Sequence, residues 1–72
     1  MFKISIRAAR VNVGLLQKEA AEQLGISNKT LGNWESGITF PPADKIPAIC
    51  ELYGVPYDHL NFLPINSLKA KG

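Results

Sequence analysis

Seventy-two residues with 46% apolar content make one small domain, near the lower limit for an unaided core, and argue against disorder. The single cysteine, Cys50, excludes an internal disulfide and, with one histidine, leaves no zinc-binding set; no apolar run approaches the ~20 residues of a membrane span, and MFKISIRAAR is too short an apolar stretch for a signal peptide, so the expected location is the cytoplasm. The net charge of +2 says little about partners, because without Lys69 and Lys71 residues 1–68 carry six cations and six anions.

The first helix is predicted after Ser5 and over about residues 5–12. Ile6, Ala9, Arg10 and Val13 follow the i, i+3, i+4, i+7 spacing of one helical face, and Gly14 is the expected stop. This puts Arg10, a cation, on the inward or boundary face. The second helix is predicted over 17–24, with Ala20, Ala21 and Leu24 as its buried stripe. Leu16 stands at its cap position and supplies no acceptor, a loss of typically ~1 kcal/mol. Gly25 suits a left-handed stop, and Ile26 plugs the turn. Ser27 is an N-cap for a third helix over 28–36, whose apolar residues are Leu31 and Trp34. Two short helices joined by such a turn make a helix-turn-helix, in which the second helix enters the DNA major groove N-terminal end first. Here that end presents Asn28 and Lys29, with Asn33 one turn further on.

After Gly37, Pro41 and Pro42 bias the chain away from helix. A fourth helix is predicted over about 44–53, capped by Asp44, with Pro47 at its third position, Ile46, Ile49, Cys50 and Tyr53 facing inward, and Gly54 as the stop. A short fifth helix is predicted over about 57–62, with Tyr57 and Leu60 inward and Pro64 preventing its continuation. Residues 1–64 are thus read as one domain and 65–72 as a short tail. Leu60, Phe62, Leu63, Ile65 and Leu68 either close the core or form an apolar homodimer surface.

The spacing of Gln17, Ala21, Gly25, Ile26, Ser27, Leu31, Trp34, Glu35 and Gly37 resembles the Cro/CI (lambda-repressor-like) helix-turn-helix family, over about residues 3–63. Each position is a weak signal, and together in this register they are strong. Residues 40–64 resemble Cro-like proteins of phages of low-GC Gram-positive bacteria. The resemblance implies an all-α, five-helix DNA-binding domain in a bacterial host cell. It also implies an Arg10–Glu35 ion pair joining the first and third helices, where the bland reading is two solvated charges. It places Gln17 against the DNA backbone and against the recognition helix, and Asn28, Lys29 and Asn33 at base-reading positions. Thr30 would touch a thymine methyl or a phosphate, and Ser36 the backbone. The chemistry suits these roles, since Asn pairs bidentately with adenine and Lys donates to guanine. The competing reading is that these polar residues simply solvate an exposed face.

Gly32, mid-helix on the outward face, departs from the family pattern. It costs roughly 1 kcal/mol against Ala and leaves bare backbone where another surface, a thymine methyl or a protein, can approach. Trp34 is read as core rather than a base-stacking ring, His59 as a lone surface histidine, and Phe40 either as cover for the core edge or as an exposed anchor.

Two functions follow from the resemblance. One is a phage lysis–lysogeny switch protein, binding operator DNA as a homodimer or forming a complex with a phage CI-type repressor and occluding that repressor's own helix-turn-helix. The near-neutral charge and Gly32 lean toward protein contact, and the motif leans toward DNA. The other is an antitoxin of a toxin–antitoxin pair, which the eight-residue tail weakens because a toxin-wrapping segment is usually longer. No nucleophile, base and oxyanion donors converge, so no enzyme and no cofactor are expected.

Overall fold

The computed structural model describes residues 3–62. The chain runs through a two-residue strand β1 (Ile4–Ser5), helices α1 (Ile6–Asn12), α2 (Gln17–Leu24) and α3 (Asn28–Ser36), a 3-10 turn (Ala43–Lys45), helix α4 (Ile46–Tyr53), a second 3-10 turn (Tyr57–His59) and a strand β2 (Leu60–Asn61).

Caps and stops set the helix ends. Ser5 Oγ accepts from the Ala8 N–H at 3.0 Å, and Ser27 Oγ from the Thr30 N–H at 3.0 Å. Gly25 and Gly37 take left-handed φ values of 72° and 80°, which release the chain from α2 and α3 without a Cβ clash. At the start of α2 only half of a capping box forms. Glu19 Oε1 accepts from the Leu16 N–H at 2.9 Å, and leucine has nothing to return. Lys45 Nζ donates to the Leu24 carbonyl at 3.0 Å, placing a cation at the C-terminal end of α2.

One core joins all four helices. Ile6, Ala9, Ala20, Ala21, Leu24, Leu31, Trp34, Ile49, Tyr53 and Leu60 are buried, with Ile26, Cys50 and Val55 packed against them. Trp34 is therefore a core residue. Phe40 is 56% exposed, so it stands out from the core edge rather than covering it.

Three expectations are corrected. The described residues hold four α-helices, and the fifth is a three-residue 3-10 turn that runs straight into β2. β2 pairs in parallel with β1, Ile4 opposite Leu60 and Ser5 opposite Asn61. Extended pairing buries Leu60 and ties the segment after α4 to the start of α1. Tyr57 accordingly points outward, 61% exposed, with its ring 6.1 Å from that of Phe62. Finally, Asp44 does not cap α4. It lies inside the first 3-10 turn, and Pro47 falls at the second position of α4. Leu63, Ile65, Leu68 and the 65–72 tail lie outside the described residues. Among the described residues no helix is long and apolar enough to cross a membrane.

Candidate recognition surface

α3 buries Leu31 and Trp34 and turns its other side outward. Lys29, Gly32, Asn33 and Ser36 stand three and four residues apart, so they share one face, with Asn28 at its N-terminal end. Asn28, Lys29 and Ser36 are exposed, and Thr30, Gly32 and Asn33 are half-buried. Thr30 is turned back toward the cap, its Oγ1 accepting from Ser27 Oγ at 2.8 Å.

Behind this face lies a polar cluster that fixes α3 to α1 and α2. Arg10 is buried and donates three ways. Its Nε reaches Glu35 Oε2 at 2.8 Å, its Nη2 reaches Glu35 Oε1 at 3.3 Å, and its Nη1 reaches the Leu15 carbonyl at 2.7 Å. The pair is nearly dry, with the two side chains only 10% and 5% exposed. Gln17 Nε2 donates to Glu35 Oε1 at 3.0 Å. Gln17 thus buttresses α3 through its amide nitrogen. A notch of about 460 Å³ opens beside the cluster, lined by Arg7, Arg10, Gln17, Gly32, Glu35 and Ser36.

Gly32 is one of the residues lining that notch. A Cβ at this position would meet the Gln17 amide at 3.6 Å, an ordinary contact, so packing within the chain does not require glycine. Gly32→Ala should therefore stabilise the domain by roughly 1 kcal/mol, a rise of about 4–8 °C in melting temperature for a domain of this size. A fall in melting temperature would show that the notch has no room for a methyl group.

Tyr53 packs beneath the same cluster. Its hydroxyl is buried with no hydrogen-bond partner among the described residues. Burial pushes its pKa from 10.0 up to about 12; the Glu35 carboxylate adds to the rise and Arg10 opposes it. Between those two values the unfolded chain releases this proton and the folded chain keeps it. Stability should therefore fall as pH rises through that window. Tyr53→Phe should lack this alkaline phase in thermal melts and should be no less stable at neutral pH, since it removes an unpaired buried hydroxyl. A marked loss at neutral pH would mean that the hydroxyl is hydrogen-bonded.

The surroundings of α3 are more apolar than its sequence motif suggests. Leu16, directly before Gln17, is 66% exposed, and Ile38, directly after the glycine stop of α3, is 71% exposed. Phe40, which the sequence already offers as an exposed anchor, is exposed as well; Ile38 has no such signal in the sequence, and for Leu16 the only hint is a leucine at a cap position. The cations are few. Arg10 is taken up by Glu35 and Leu15, and Lys45 by Leu24. Lys3, Arg7, Lys18 and Lys29 are exposed.

A family model described as helix-turn-helix matches residues 6–60, which span every helix and both 3-10 turns. The chain belongs to the Cro/CI-type helix-turn-helix family. Over 55 residues, 76% of the chain, it is 40% identical to the HTH-type transcriptional regulator ImmR of Bacillus subtilis (strain 168), covering 43% of that protein. Over 60 residues, 83% of the chain, it is 33% identical to the cryptic phage CTXphi transcriptional repressor RstR of Vibrio cholerae, covering 54% of it. Over 59 residues, 82% of the chain, it is 30% identical to the HTH-type transcriptional activator BcrR of Enterococcus faecalis, covering 29% of it. The chain thus spans about a third to a half of the length of these relatives. No solved structure matches it significantly. Family members of this kind are transcription regulators and are generally not enzymes. Among the described residues no group of three or more His, Cys, Asp or Glu is placed to hold a metal ion.

Proposed function

We propose that the chain is a transcriptional switch protein of phage or prophage origin, of the kind its sequence resembles in the modulator of repression of a temperate lactococcal phage. It acts in the bacterial cytoplasm as a Cro-like regulator and antirepressor. It forms a complex with the phage CI-type repressor through the α3 face of Asn28, Lys29, Gly32, Asn33 and Ser36, and covers that repressor's own helix-turn-helix.

One observation carries this reading: Leu16, Ile38 and Phe40, close in sequence to the ends of α2 and α3, are exposed apolar residues, while Lys29 is the one cation that α3 itself supplies. A phosphate backbone is held by many Lys and Arg contacts, and affinity falls steeply with salt for each one made. A protein interface instead combines apolar contact with a few hydrogen bonds and depletes charge at its centre. The phage repressor RstR among the relatives supports the phage setting.

Operator binding is the second activity, favoured by the chemistry of Asn28, Lys29 and Asn33, which suits hydrogen bonding to base edges. With few free cations it is weak for the protein alone.

Size-exclusion chromatography with light scattering tests the reading, with the chain run alone, with the repressor of the same phage or prophage, and with operator DNA. The expected result is a stable complex with the repressor and little shift of the DNA. A homodimer that shifts operator DNA and ignores the repressor would refute it.

A further inference from the structure

Arg7 lines the same notch as Gly32 and Ser36, yet it belongs to α1 and lies outside the helix-turn-helix. It is exposed and makes no hydrogen bond or ion pair with the described residues. Its neighbour one turn on, Arg10, is fully committed to Glu35 and Leu15. Glu35 in turn is occupied by Arg10 and Gln17. The uncompensated charge of the notch is therefore that of Arg7. α1 itself, IRAARVN, has no acidic residue to quench it. Arg7 also borders a second, shallow groove of about 320 Å³ on the outer side of α1, formed with Ser5, Ala8, Val11 and Asn12. It stands where two concave surfaces meet.

We infer that Arg7 anchors a carboxylate side chain of a protein partner, and that the interface runs from the α3 face across Arg7 onto the outer side of α1. This rests on the reading that the partner is a CI-type repressor. A guanidinium offers five donors in a planar fork that matches a carboxylate bidentately. A phosphate is the competing anion, and the surroundings decide against it. DNA backbones are held by rows of cations, and neither groove contains a second free one. In the outer groove Ala8 and exposed Val11 supply apolar surface beside Arg7 instead. Arginine is enriched among interface hot spots, and here it stands between a polar notch and a groove with apolar Ala8 and Val11.

The test compares the wild-type chain with Arg7→Gln and Arg7→Glu by titration calorimetry against the purified CI-type repressor, and by anisotropy against operator DNA. Both variants should melt like the wild type, because Arg7 makes no bond within the described fold. Repressor affinity should fall by about tenfold or more in Arg7→Gln and further in Arg7→Glu. Replacing the contacting acidic residue of the repressor by Lys should restore binding to Arg7→Glu alone. Unchanged repressor affinity in both variants would overturn the inference and leave the repressor reading standing. A DNA salt slope reduced by about 0.9 in Arg7→Gln, with repressor binding intact, would make Arg7 a phosphate contact and also overturn it. Failure of the wild-type chain to bind the repressor would overturn both.

Discussion

Arg10→Met should destabilise the domain by about 3–5 kcal/mol, the usual cost of leaving one member of a buried ion pair without its partner. For a chain of this size that is a large share of the total stability. The loss has three parts in the structure. Glu35 is stranded at 5% side-chain exposure, the Leu15 carbonyl loses its donor at 2.7 Å, and α1 loses its link to α3. Denaturant unfolding measures the loss directly. The double variant Arg10→Met with Glu35→Leu should recover much of it, because both charges are then gone. A double-mutant cycle that shows no coupling would mean the pair does not form in solution.

The second large effect concerns binding rather than folding. Lys29→Glu and Gly32→Arg should each abolish capture of the partner while leaving the melting temperature near that of the wild type. Lys29 is exposed at the leading end of α3, so charge reversal there alters the binding face without disturbing the core. Arginine at position 32 would occupy the notch that Gly32 lines and exclude whatever approaches the bare helix backbone. The smaller Gly32→Ala separates sterics from flexibility. It adds one methyl group, and the amount of binding it retains reports how closely the partner approaches. A folded Gly32→Arg variant that binds repressor and operator normally would show that this face is not the working surface.

Much of the fold is legible in the sequence because its punctuation is local. Ser5, Ser27, Gly25 and Gly37 act through hydrogen bonds and φ values a few residues away, and these can be read one residue at a time. Arg10 stands out as a cation on an apolar stripe, and its partner Glu35, 25 residues on, came from family resemblance and not from any local pattern. What stays hidden is long-range. The segment after Pro56 reads as a helix by apolar spacing, and its pairing with Ile4 and Ser5 at the other end of the chain overrides that spacing. Asp44 fits a cap by residue type, but the 3-10 turn around it moves the helix start two residues on. At the recognition surface, the outward face of α3 follows from periodicity. The Gln17–Glu35 bond, the notch and the free Arg7 do not, since each depends on how α1 and α2 meet α3 in space.

The most direct test of the central claim, that the helix-turn-helix face works chiefly by protein contact, is a salt series. The labelled chain is titrated with the CI-type repressor and, separately, with operator DNA, at several concentrations between about 50 and 200 mM salt. The account predicts measurable repressor binding with only a shallow salt dependence, that of the Arg7 ion pair and few other charges, and weak operator binding by the chain alone. Operator binding that is tight at low salt and falls by roughly 0.9 log units per log unit of salt for each phosphate contacted, with no binding to the repressor, would contradict it.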